Sequence, residues 1–183
     1  MSNNGSLGKY YEQTKLGKVF IGSTAAAGVA LPVETGTAVT FGLWNTTVNK
    51  AAVPLWIAMA YVSGTITVGG FAIANQNVGY ATATAAPLSA FTDATPKNAL
   101  LGYGAASAMR FTGSTATLSA GGTRCYLLGA AHEIATAGPG VSIINHDFDG
   151  RLIVMPGQLI FPCYSIAQTG VFSISMAWAE VDL

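Results

Sequence analysis

Between Val171 and Ala179 the chain alternates without a break, with Phe172, Ile174, Met176 and Trp178 at one set of positions and Ser173, Ser175, Ala177 and Ala179 at the other. Successive side chains of a strand point to opposite faces, so this run specifies a β-strand with one greasy face. Its second face is unusual. A solvated strand face carries Lys, Glu or Arg, whereas this one carries only Ser and Ala, so another surface is expected to lie close against it.

The same asymmetry recurs upstream. In Val53 to Val62 the odd positions Val53, Leu55, Ile57, Met59 and Tyr61 are large, while Ala58 and Ala60 are small; Trp56 breaks the small face and Pro54 marks a strand entrance or an edge. Thr37 to Trp44 reads as a strand with Val39, Phe41 and Leu43 on one face, and Thr65 to Ala74 as a strand whose Gly69-Gly70 pair suggests a bulge. Val19 to Ala30 favours an extended path. Tyr80 to Ala86 reads as a weak strand, and Leu88 to Ala108 as a long loop with a helical turn near Leu88 to Phe91. Met109 to Leu118, Thr123 to Ala131, the short Val141 to Ile144, Leu152 to Met155 and Gln158 to Ile166 complete the set. Turn signals fall at Gly121-Gly122, Gly138-Pro139-Gly140, Asn145 to Gly150 and Pro156-Gly157. Short strands at such spacing give an all-β fold, an antiparallel β-sandwich with a jelly roll as the preferred version. Residues 1–18 are polar and read as a flexible, extended N-terminal arm ahead of a single domain over 19–183.

Composition limits what such a domain does. Charged residues are 9% of the chain, far below the roughly 25% of an ordinary soluble domain, and the formal net charge is zero. A surface this poor in charge favours a homo-oligomer, a dimer or trimer, or a part buried in a larger assembly. The basic residues Lys9, Lys15, Lys18, Lys50, Lys97, Arg110, Arg124 and Arg151 form no stripe that would track phosphates, which argues against direct nucleic-acid binding. No charge occurs from Ala51 to Thr92, but Pro54, Gly64, Gly69 and Gly70 interrupt the run and its alternation is that of strands, so no membrane span is expected. The first ten residues lack the pattern of a signal peptide, which gives the expectation of a chain made in a cytoplasm. Cys125 and Cys163 have no metal-site spacing and read as reduced, buried small hydrophobes, with a disulfide between them left open.

The one concentration of acid-base or ligand groups is His132-Glu133 with His146-Asp147 and Asp149. Imidazole and carboxylate suit a divalent metal, but adjacent strand residues point apart and Asp149-Gly150 is more simply a turn that caps its own backbone. No nucleophile elbow, phosphate loop or zinc-protease motif occurs, so no catalytic residue, metal site or cofactor is expected. Tyr10, Tyr11, Trp44, Trp56, Tyr80 and Tyr103 include candidates for a sugar-stacking platform, weighed against core or subunit interface.

Leu43-Trp44-Asn45, the run from Val53 to Thr65, Met155 to Gln158 and Ser175 to Val181 together resemble a pattern in small virion-associated proteins of tailed phages. The resemblance implies a capsid decoration or cement protein that oligomerises on the shell, contacts the major capsid protein and reaches neighbours with terminal arms, located on the virion surface. Tyr10, Tyr11, Trp56, Ser173, Ser175, Ala177 and Ala179 are the expected oligomer or capsid contacts. A host-recognition module presenting loops to a glycan and a head-to-tail connector component are the rival expectations.

Overall fold

In a computed structural model, which describes residues 8–80, 88–131 and 143–183, the C-terminal alternating run lies inside a sheet, flanked on both sides. The chain begins with a short helix, α1 (Tyr11–Lys15), followed by β1 (Val19–Ser23), β2 (Val29–Ala30), β3 (Ala38–Val39), β4 (Gly42–Trp44), β5 (Lys50–Ser63) and β6 (Gly69–Asn77). Then come β7 (Leu88–Phe91), β8 (Lys97–Asn98), β9 (Arg110–Thr112), β10 (Ala116–Leu118) and β11 (Thr123–Ala131). The last three are β12 (Ile143–Asp147), β13 (Gln158–Tyr164) and β14 (Val171–Asp182).

All ladders between these strands are antiparallel, so the chain is all-β apart from one helix among the described residues. One sheet has the order β12-β5-β14-β1-β8, with β2 added to β14, and a second has the order β11-β6-β13-β4-β9. A third, small sheet is β3-β10-β7. The pairing follows a rule: β1 joins β14, β4 joins β13, β5 joins β12 and β6 joins β11, so early strands meet late ones in nested order.

The greasy faces of the two large sheets share one core. Phe20, Ile57, Met59, Phe172, Ile174, Met176 and Trp178 from the first meet Leu43, Phe71, Ile73, Phe111, Ile160 and Tyr164 from the second. Phe111 stacks on Trp178 at 5.9 Å between ring centroids and Phe172 meets Phe71 edge-on at 5.4 Å. Gly22 makes this approach possible, because a Cβ there would sit 2.5 Å from the Phe111 ring. A second core lies on the other face of the second sheet, where Ala72, Ala74, Leu159, Phe161 and Cys163 meet Val39, Ala116 and Leu118 of the small sheet. Strands β6 and β13 are thus covered on both faces, which is why they read as apolar runs rather than as alternation.

Several expectations from sequence change here. Residues 37–44 are not one strand: Thr40 and Phe41 bend the chain, Val39 joins the second core, and Phe41 and Leu43 enter the first. Leu88–Phe91 is a strand paired with β10, not a helical turn, and 109–118 is split into β9 and β10 in different sheets. The register shifts on this side of β6 fall on β11, between Arg124 and Tyr126 and between Leu127 and Gly129, not at Gly69-Gly70. Gly69 instead leaves room for the Tyr164 ring, 2.8 Å from where its Cβ would lie. Asn145 to Asp147 belong to β12, and the turn starts one residue later, with Asp149 at φ 51° and Arg151 N–H donating to the Phe148 carbonyl at 2.9 Å. Cys163 is buried, whereas Cys125 is exposed; both thiols are free. The weak strand expected at Tyr80 to Ala86, the turn at Gly138 to Gly140 and His132-Glu133 lie largely or wholly outside the described residues.

The largest revision concerns β5. Ala177 pairs with Trp56 but Trp178 pairs with Pro54, so Leu55 is an extra residue in the ladder. This bulge flips the phase of the strand. Ile57 and Met59 enter the main core, while Leu55 and Val53, also odd-numbered, join Trp56 against the opposite face. Pro54, which has no N–H to give, is tolerated beside the irregularity, and the stray Leu55 carbonyl accepts the Phe148 N–H at 2.8 Å.

Candidate functional site

The small-residue face of the first sheet can be read row by row from its register. One row runs Asp147, Trp56, Ala177, Ile21 across β12, β5, β14 and β1, and the next runs Asn145, Ala58, Ser175, Ser23; Ala60 and Ser173 are paired beyond it. Residues directly opposite one another share a face. The two rows have different fates.

Ala177 and Ala179, with Val19 and Leu55, are buried under the chain itself: Tyr10, Ile21, Val53, Trp56 and Ala99 pack against them. The described part of the expected arm, residues 8–18, is therefore placed on this sheet. Its helix α1 has only five residues and buries none of them, so the neighbouring Tyr10 provides the anchor. The Tyr10 hydroxyl donates to Asp147 Oδ1, and Lys9 Nζ bridges Asp149 Oδ1 and the Asp147 carboxylate, 3.4 Å from its oxygens. The Asp149 N–H donates to Asp147 Oδ1 at 2.8 Å. The Tyr10 bond, first, and Lys9 hold the Asp147 carboxyl below its usual range, while the Asp149 bond raises the Lys9 pKa. Burial, then the Asp147 bond, raises that of Tyr10.

A depressed carboxyl pKa contributes stability that is present above the unfolded value, about 3.9, and is lost as the pH falls through the lower folded value. Asp147→Asn at neutral pH, or acidification below that range in the unaltered chain, is thus expected to release residues 9–16, while Gly17 and Lys18 stay bonded to Asn98 and Glu180 and the sheets stay intact. Hydrogen exchange checks this: amides of Tyr10 to Leu16 should exchange faster while those of β14 keep their protection. Unchanged exchange at Tyr10 to Leu16 would show that the latch holds nothing.

The second row stays open. Ala58 and Asn145 of this row, with Trp56 and Asp147 of the first, line a trough of about 530 Å³, and the hydroxyls of Ser175 and Ser23, also in the second row, are bonded to each other. Of the residues expected at a contact, the fold brings Tyr10, Trp56, Ala177 and Ala179 into one cluster, leaves Ser173 and Ser175 half-buried beside the trough, and exposes Tyr11 on α1. Asn145 escaped the sequence reading because Asn, Asp and Gly nearby signal a turn; its alternation with His146 and Asp147 was the clue to a strand.

His146 points the other way, between the two large sheets. Its Nε2 lies 3.1 Å from the Tyr126 hydroxyl, and its ring meets Tyr126 and Phe148 edge-on, each at 5.2 Å. Burial, with Arg151 nearby, lowers its pKa. His146 and Asp147 therefore cannot act on one ligand, and among the described residues no group of three or more His, Cys, Asp or Glu could hold a metal ion. Among the same residues no helix is long and apolar enough to cross a membrane. The chain matches no protein-family model, no curated protein and no solved structure.

Proposed function

We propose that the chain is a non-enzymatic structural protein of a tailed-phage virion, a decoration or cement protein that binds the capsid lattice as a dimer or trimer and stabilises the shell. The observation that carries this reading is how the surface is furnished. At least nine of the sixteen charged side chains are paired with one another in five ion pairs, and Glu180 is buried. Large apolar groups meanwhile stand in the open: Leu101 at 86%, Val48 at 73%, Leu183 at 64% and Val68 at 58% exposure. Such a surface gains when contacts remove it from water, at roughly 25 cal/mol per Å² of apolar area, and offers little charge to keep a free monomer dispersed.

Two ends of the domain are suited to such contacts. At one, the Leu183 N–H bonds the Asn49 carbonyl and the Asn45 amide bonds that of Val154, which gathers exposed Val48, Ile153, Met155 and Leu183. At the other, the Thr169 N–H bonds the Thr65 carbonyl, joining two uncharged loops that carry exposed Val68 and Ile166, next to exposed Val62 at the end of β5. The nested pairing of early with late strands, alternating between two sheets that share a core, supports reading the fold as a jelly-roll sandwich. Binding that favours the expanded lattice over its precursor would stabilise the shell by mass action.

Sedimentation of the purified chain tests the oligomer directly. The expected species is two or three times the 18.7 kDa chain mass; a single 18.7 kDa species at all concentrations would overturn the proposal.

A further inference from the structure

The assembly reading gives the trough no task. We propose that it binds a neutral saccharide, stacked on the Trp56 indole and bonded through its hydroxyls by Asn145 and Asp147. Its volume of about 530 Å³ lies within the roughly 300–1,000 Å³ typical of small-ligand sites. Trp56 stands beside Ala58 and, across the ladder, Ala177 and Ser175, with Tyr10 packed in the same cluster. An indole rising beside a small-residue floor suits a molecule with one apolar face and a rim of hydroxyls, which is the shape of a pyranose ring. Asn145, in register with Ala58, supplies both a donor and an acceptor. The Asp147 carboxylate is held in place by the Tyr10 hydroxyl and the Asp149 N–H, both on Oδ1, so its orientation is set before a ligand arrives.

Charge selects the class. The two carboxylates of Asp147 and Asp149 are balanced by Lys9, paired to both, and by Arg151, whose guanidinium bonds the Asp147 carbonyl at 3.0 Å. With these four charges cancelling, the site favours neither a quaternary ammonium, which an indole and a free carboxylate would otherwise attract, nor an acidic sugar. His146, the nearest imidazole in sequence, faces the other side of the sheet, against Tyr126 and Phe148, and takes no part in the trough.

The test uses the full chain, titrated with neutral methyl glycosides and short oligosaccharides of glucose, galactose and mannose, with choline and N-acetylneuraminic acid as charged controls. Trp44 and Trp178 are buried, at 3% and 0% exposure, so a fluorescence change reports Trp56, and saturation-transfer NMR gives the ligand face in contact. At least one neutral glycoside should saturate the signal. Ala58→Leu fills the trough without removing any packing and should weaken that binding by about tenfold or more, with Asn145→Ala weakening it by about three- to tenfold. Both variants should keep the wild-type sedimentation mass, so loss of sugar binding and loss of assembly are read separately. The proposal is overturned if no glycoside saturates, if choline or the acidic sugar binds in preference, or if Ala58→Leu leaves the affinity unchanged. A changed mass in Ala58→Leu without any sugar binding would mark the trough as a subunit contact instead.

Discussion

Trp178→Ala is expected to lower the free energy of unfolding by about 3–5 kcal/mol, the range for truncating a large buried aromatic. Trp178 is fully buried and holds the two large sheets together, stacked between Phe20 at 6.3 Å and Phe111 at 5.9 Å. Removing the indole leaves a cavity that cannot close easily, because Phe111 is itself wedged against Phe41 at 5.0 Å and over Gly22. Trp178→Phe should cost much less. The indole N–H has no acceptor among the described residues, so phenylalanine keeps most of the apolar contact and removes a polar group whose burial is unfavourable. Urea unfolding at fixed protein concentration measures both variants; a loss under about 1 kcal/mol for Trp178→Ala would mean that the sheets are not joined as described.

Asn45→Ala is expected to cost about 2–4 kcal/mol, although it removes few apolar atoms. Asn45 is fully buried where β4 hands over to β5, and its side chain is completely used. Its amide donates to the carbonyls of Lys50 at 2.8 Å and Val154 at 2.9 Å, while its oxygen accepts the Thr47 N–H at 3.0 Å and hydroxyl at 2.8 Å. Its backbone is paired as well, to Gln158 and Gly157. One residue thereby fixes the loop between the sheets and the segment at Val154 that bridges to Ala52. Asn45→Asp keeps the acceptor but turns the donor into a second acceptor facing two carbonyls, so it should cost at least as much as alanine. Equal stability of Asn45→Asp and the wild type at neutral pH would contradict this network.

The difference between what could be read from sequence and what could not follows from how each strand is buried. Strand β14 has one face in the main core and a second face of small residues, so its alternation survives in the sequence from Val171 onward. Strand β5 carries the same alternation, but the bulge at Leu55 reverses its phase, and nothing in the run of large odd residues reveals which of them change sides. In β6 and β13 both faces are covered, so Phe71 to Ala74 and Leu159 to Tyr164 give apolar runs whose partners sequence cannot assign. Leu88–Phe91 is too short to distinguish a strand from a helical turn by period.

The contact face shows the same limit. Ala177 and Ala179 are covered by the chain's own Tyr10 and Ala99, whereas Ser173 and Ser175 stay half-buried. Covering Ala177 needs Tyr10 to reach Asp147, 137 residues away, and no local pattern encodes a meeting at that distance. The open half, with Asn145 beside Trp56, came from two segments whose register only the fold determines.

Three-dimensional imaging of phage particles that carry this chain is the most direct measurement. The predicted result is density for the fold as dimers or trimers repeated over the capsid lattice, with apolar ends such as that of Val48 and Leu183 against neighbouring subunits, and shells that rupture more readily when the chain is removed. Density confined to the neck or tail, or shells equally stable without the chain, would contradict a decoration role.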